Sequence, residues 1–436
     1  MQFSKIFYVV ISTILVTAFM LIIYVFPSYN VGDRSSGKAV KIYFADNISP
    51  AHKRVIDLFN EKYKGQIEVV PINLPFDKFT TNDRKEILAR YFRSKSDRID
   101  VFSVDQIWVP RFTRWAIPLD EYFSKPERQE ILNYAIHSCY YNDTLYAIPL
   151  YIDIALMYYR KDLINQLPNA KEIEKKLRNS ITWQDMISLN KEFKNNPLFV
   201  FQADDYEGLM CIYTEILANM NGKLMDGDSL LLRTPQAEKA LQFLSYLINK
   251  YKISPKDVLS FKEDDSYRYY LKDNGVFLRG WTGLFKNNIV GNKYLNLKNK
   301  IAEVPTPHLE GSKPVSVFGG WNLMISKFSS KVPESVRFIK FLMSEEAQKV
   351  LFDVGGYIPV NNNIYKDSLY IEQNPQLSFD MNLVKHGIYR PFSVRYTNVS
   401  DVVSYYLNLA LKGRITPHEA LIKADEKLKS NSILLK

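Results

Sequence analysis

From residue 40 onward the hydrophobic pattern alternates between two periods. VKIYFAD (40–46) alternates every second residue, and Ser49-Pro50 then give an N-cap and a first-turn proline to the apolar stripe of AHKRVIDLFNEKY. QIEVVPI, the helical stretch KEILARYFRS and the strand-like IDVFSVD repeat this order, which predicts parallel βαβ units and a first lobe of α/β type. LYAIPLYIDIALMYYRKDLI is strand-like but carries a proline, which a central ladder tolerates poorly, so the chain is expected to change domain there.

A mainly helical region follows. Thr182 caps TWQDMISLNKEF, EGLMCIYTEILANM is apolar at helical spacing, and Thr234-Pro235 open QAEKALQFLSYLINKY. DNGVFLRGW then reads as a turn and a short strand ending on an aromatic, and IAEVPTP and VFGGWNLMIS read as further strands. PESVRFIKFLMSEEAQKVLFDVGG predicts an amphipathic helix stopped by glycine, and Thr416, Pro417 and Glu419 supply the cap, first-turn proline and capping box of a last helix.

Ahead of this pattern, Ile6 to Phe26 holds no charged residue, about the 20 apolar residues that cross a bilayer core. No small-x-small cleavage site follows closely, so an uncleaved membrane anchor is predicted, with SYNVGDRSSGKA as its tether. Lys5 on one side and Arg34, Lys38 and Lys41 on the other give no orientation. GDRSSGKA falls short of a phosphate loop, since Ala39 replaces the metal-binding hydroxyl and a strand follows where a helix is needed.

Composition changes this picture little. A chain of 436 residues, 46% hydrophobic and 24% charged, is a folded protein of two or three structural units. The net charge of +10 raises nucleic acid, yet the basic residues are dispersed among acids, as in EKYK, SKPERQE and NAKEIEKKLRN, and form no nucleic-acid patch. Cys139 and Cys211 fit either a disulfide or two buried thiols. Five scattered histidines offer no metal-ligand spacing, and no cofactor is expected.

The candidate chemistry sits where apolar strands end: Asp105; Tyr151 and Asp153; Arg279 and Trp281; and Gly319, Gly320 and Trp321. Carboxyl ends of strands in open α/β sheets line ligand crevices. A sugar presents an apolar face for a flat ring and hydroxyls for carboxylates and arginine, so these residue types fit a polyhydroxylated ligand. Packing competes with this reading for the two tryptophans, N-capping competes for Asp105 and Asp153, and Trp108 is assigned to packing.

The series IDVFSVDQIWVPRF, IPLDEYF, YAIPLYIDIALMYYRKDLI, GVFLRGW, FGGWNLMISKFSSKVPESVRFIKFLMSEEAQKVLFDVGGYIPV and RPFSVRYTNVSDVVSYYLNLALKGRITPHEAL resembles the extracytoplasmic sugar-binding proteins of ATP-driven (ABC) importers, maltose/trehalose-type branch. The resemblance implies an α/β, two-lobed, periplasmic-binding-protein-like fold with a hinge and a ligand cleft between lobes. Lobe 1 would comprise 38–148 and 300–354, and lobe 2 would comprise 149–299 and 355–436. The resemblance implies ligand contacts at Asp105, Tyr151, Asp153, Trp281, Gly319, Gly320, Trp321, Tyr357 and Arg390, with Asp46 carried over from the end of the first strand. It also implies a function: capture of a mono- to oligosaccharide outside the cytoplasm and delivery to the transmembrane subunits of an ABC permease, without catalysis. Three departures stand out: no lipoprotein cysteine, alanine for the usual glycine in RWAIPLD, and no proline after Gly280-Trp281. The rival readings are a sugar-sensing membrane adaptor and a glycosidase using Asp105 and Asp153.

Overall fold

The computed structural model describes residues 38–75, 78–194, 196–284, 286 and 292–430. The predicted anchor and nearly all of its tether lie outside the described residues, among which no helix is long and apolar enough to cross a membrane.

Nine strands form the main sheet among the described residues: β1 (Val40–Asp46), β2 (Ile67–Asn73), β3 (Val101–Asp105), β4 (Ile148–Arg160), β5 (Phe199–Val200), β6 (Phe277–Trp281), β7 (Ile301–Val304), β8 (Ser316–Ile325) and β9 (Gly387–Ile388). Their order is β2-β1-β3-β8-β4-β6-β5, with β7 also on β4 and β9 on β8. The βαβ reading holds for β1 and β3, which pair in parallel through Phe44 and Val101. It does not hold for the middle of the sheet, where β8 runs antiparallel to both β3 and β4. Pro71 of β2 sits at the sheet edge, where a missing donor costs little.

Pro149 does not break the chain. β4 begins one residue before it and runs for 13 residues, every one buried except the half-buried Asp153. The β4–β8 register shifts between Trp321 and Asn322, and Asn322 faces Pro149, so the absent N–H falls beside an irregularity in the ladder. β4 meets β8 through residues 148–154 and then β6 and β7 through residues 155–160, so one strand serves both halves of the sheet.

The main helices are α1 (Pro50–Lys62), α2 (Thr81–Arg93), α3 (Glu207–Asn219), α4 (Pro235–Asn249), α5 (Glu263–Lys272), α6 (Val332–Leu342), α7 (Glu345–Gly355), α8 (Pro375–Val384), α9 (Tyr396–Leu411) and α10 (Pro417–Lys429). The single helix predicted over 333–356 is two, α6 and α7, because Ser344 is extended and its hydroxyl caps Ala347 N–H. Ser49, Thr182, Thr234 and Thr416 cap as predicted. α1 packs on α6 and α7 with edge-on Phe59–Phe338 and Phe59–Phe341 contacts, whereas α3, α4, α9 and α10 pack on one another.

Two carboxylates meet inside the second half: the Gln376 amide of α8 donates to Glu303 of β7 and, at 3.0 Å, to Asp380. Burial pushes Glu303 up to about 7 and Asp380 upward too.

Candidate functional site

Sheet register alone assembles most of the candidates. Asp105 pairs with Trp321, Trp321 with Tyr151, Gly319 with Asp153, and Trp281 with Ala155 of the same β4. A cavity of about 630 Å³ opens over this row, within the size range of small-molecule sites. Every ligand contact implied by the sequence except Asp46 lines it.

The two glycines have separate causes. A Cβ on Gly319 would stand 2.9 Å from Cζ3 of Trp281 and 3.2 Å from Cβ of Asp153, so the bare strand is what lets the indole lie against it. Gly320 has φ +136°, and its Cβ would meet the Tyr151 carbonyl oxygen at 2.7 Å. Close approach between β8 and β4 therefore requires glycine there.

The two tryptophans then part company. Trp281 is half-buried on the cavity wall. Trp321 is 7% exposed, and the Arg84 guanidinium lies 3.9 Å from its ring centroid. Arg84 in turn donates at 2.6 Å to Asp46, whose other oxygen is 3.5 Å from Nε2 of His52. Asp46 is thus a buried acceptor outside the cavity wall, acting on it through Arg84. Burial lowers the His52 pKa, with Asp46 opposing. His52 also stands edge-on to Tyr151 and Tyr357, which stack at 4.1 Å.

Tyr357 reaches the cavity because Gly356 closes α7 in the left-handed region, φ +71°. A Cβ on Gly356 would stand 2.6 Å from Cα of Gly283, so the end of α7 touches the turn after β6.

Asp105 is the N-cap that the sequence allowed, and it stands on the cavity wall as well. Its carboxylate accepts from Ile107 N–H. It also accepts from Arg390, at 2.9 Å from Nη2 to Oδ1 and 3.3 Å from Nη1 to Oδ2. Arg390 donates further to Glu207 Oε1 at 2.8 Å and to the Phe318 carbonyl at 3.3 Å, so its guanidinium is largely occupied by the protein itself. Glu207, at the first turn of α3, was not among the sequence candidates. It also accepts from Tyr396 and Ser400, and burial raises its pKa while Arg390 pulls it back. The only sequence signal for it was an acid at a helix start, the common sign of a stabilised dipole.

Arg279, read as a possible donor to ligand, is 1% exposed and turned to Glu215 at 2.9 Å. It supports Trp281 from outside the cavity, 4.5 Å from the ring centroid. Trp108 packs as expected, 1% exposed against Tyr396. Cys139 and Cys211 are free buried thiols, and burial pushes Cys211, on the cavity wall, up to about 12.

Asp153 stands apart. Its carboxylate accepts from Thr282 Oγ1 at 3.1 Å, and burial pushes it up to about 7, with Asp105 adding to the rise. Among the described residues no cluster of His, Cys, Asp and Glu could hold a metal ion.

Residues 42–349 match the family model for bacterial extracellular solute-binding proteins. A "probable ABC transporter-binding protein" of Deinococcus radiodurans is 24% identical over 405 residues, 89% of this chain and 92% of that protein. Among solved structures, maltose-bound MalE3 of T. maritima superposes with a TM-score of 0.80 at 28% identity, covering 90% of this chain and all of the other. An ABC transporter solute-binding protein of Thermotoga lettingae bound with alpha-D-tagatose gives 0.77 at 22%, covering 90% and 99%, a likeness of fold.

Proposed function

The chain belongs to the bacterial extracellular solute-binding protein family, and we propose that it captures a carbohydrate outside the cytoplasm and delivers it to the membrane subunits of an ABC permease. The observation that carries this reading is the cavity wall, where Trp281, Tyr151 and Tyr357 stand among Asp105, Asp153 and Arg390 at joined strand ends. A flat ring for the CH face beside acceptors for the hydroxyls is what a pyranose needs.

The proposed mechanism is closure about the strands shared by the two halves, β4 and β8. Only the closed state brings ligand against both the Asp105 side and the Trp281 side, so ligand favours that state. Asp46 and Arg84 hold Trp321, Glu207 and Arg390 hold Asp105, and no bond in the ligand is made or broken. Residues 6–26 would tether the domain to the membrane, in keeping with the uncharged run there.

The test is a thermal-shift and calorimetric screen of the detergent-solubilised full chain against mono- to tetrasaccharides, with ligand recovered and weighed by mass spectrometry. At least one sugar should raise the unfolding temperature and return intact. No binder in the panel, or steady conversion of the sugar that Asp153→Asn abolishes, would overturn the reading.

A further inference from the structure

We propose that the carbohydrate captured here is aminated, and that its protonated amine is held by Asp153. The proposal rests on the capture reading above and sharpens it to a ligand class.

Charge is the first observation. The chain carries a net +10, yet the described wall of the cavity holds seven carboxylates against four basic side chains. A cleft of one sign focuses the field toward a ligand of the other.

The second observation is how those carboxylates are partnered. Asp83 closes the capping box of α2 with Thr80, Asp264 and Asp265 lie 3.9 and 3.6 Å from Arg268, and Glu263, away from the paired strand ends on α5, is met by the Tyr206 side chain. Asp105 and Glu207 share Arg390. Asp153 has the Thr282 hydroxyl and, among the described residues, no basic group within ion-pair distance. The charged groups around it make matters worse: Asp105 at the end of β3 raises its pKa, and Asp380 on α8 lies close enough to feel its charge. Tyr151 on its own strand and Tyr357 beyond α7 bring phenols and no cation. Burial already disfavours the carboxylate form of Asp153, and a neutral hydroxyl gives that form no counter-charge, whereas an ammonium supplies both hydrogen bond and counter-charge and draws the group to its ionised form.

The third observation is placement. The edge of the Trp281 ring and Cβ of Asp153 both crowd the place a Cβ on Gly319 would take, at 2.9 and 3.2 Å, and so flank the same bare stretch of strand. A pyranose laid on the indole therefore presents a ring substituent to the carboxylate. The amine belongs on Asp153 and not over the indole, because Arg279 already stacks on that ring.

Matched pairs test this on the detergent-solubilised full chain at pH 7: glucosamine with glucose, galactosamine with galactose, and fully deacetylated chitobiose with cellobiose, each also as its N-acetyl form. In at least one pair the amino member should bind at least about tenfold more tightly than its hydroxyl counterpart, since charge-assisted hydrogen bonds are roughly twice as strong as neutral ones. N-acetylation should remove that advantage. Asp153→Asn should shrink the preference to about twofold or less, whatever its absolute affinity, if far-ultraviolet dichroism shows it folded; the N-acetyl comparison needs no variant. Hydroxyl sugars binding as well as amino sugars would overturn the amine assignment and leave carbohydrate capture standing. An absence of binding by every member would overturn the amine assignment, while the mono- to tetrasaccharide screen decides carbohydrate capture.

Discussion

Glu303→Gln should make the protein more stable at pH 8 and leave it nearly unchanged at pH 5. Burial pushes Glu303 up to about 7, against roughly 4.3 for a free glutamate. A native carboxyl that holds its proton more tightly than the unfolded one gives stability that is fully present below about 4 and lost as pH rises through about 7. At 1.36 kcal/mol per unit the full shift approaches about 4 kcal/mol at pH 8, and because the residue is only partly buried, solvent screening trims this to about 1–3 kcal/mol. Glutamine keeps an oxygen for the Gln376 amide and removes the charge. Urea unfolding of wild type and variant at pH 5, 6.5 and 8 measures the difference. His52, lowered by burial, gains stability for the fold as pH rises through its own range. It is present in both proteins and cancels in the comparison. A variant less stable than wild type by the same amount at all three pH values would refute the reasoning, since it would mean that hydrogen bonding of the carboxylate outweighs the cost of its charge.

Trp281→Ala should weaken ligand binding by about 1–3 kcal/mol with little loss of stability, whereas Trp321→Ala, buried beneath Arg84, should cost about 3–5 kcal/mol of stability; paired calorimetry and thermal unfolding separate the two. Arg390→Ala leaves Asp105 and Glu207 buried without their shared partner and should destabilise by about 3–5 kcal/mol, read by urea unfolding, with a loss below about 1 kcal/mol counting against the network. Gly319→Val should push the Trp281 ring off the strand, so that the variant folds but binds ligand at least tenfold more weakly, a change of about 1.4 kcal/mol; unchanged affinity would show that the ring has another resting place. Residues 38–436 should express as a soluble, cooperatively unfolding protein, and aggregated or molten material would show that the fold needs its N-terminal segment.

How much of this was legible depends on where the determinants lie. Caps at Ser49, Thr234 and Thr416 are local, a hydroxyl and an N–H three residues apart, so the sequence states them directly. The break at Ser344 was equally local in MSEEAQ, but the apolar stripe runs through it and masked the cap. Pro149 misled because the rule against proline in a central strand assumes a regular ladder, and the irregularity that accommodates it belongs to β8, more than 170 residues away in sequence. Partners 38 and 64 residues away explain Asp46 and Arg279: a strand-end position shows that a side chain is near a crevice, not whether a buried arginine or glutamate elsewhere in the chain takes its charge. Glu207 and the Arg390–Asp105 pair are likewise long-range, joining residues up to 285 apart.

The uneven setting of the five tryptophans gives the protein a built-in optical reporter. Trp108, Trp115 and Trp183 lie in the dry interior, and Trp321 is pinned by a guanidinium. The first three lie off the cavity wall and give a steady background, while Trp321 borders the cavity with little of its ring exposed. Only the Trp281 indole is half open to the cavity, so filling that space replaces water at one fluorophore in five and shifts the emission spectrum without any label.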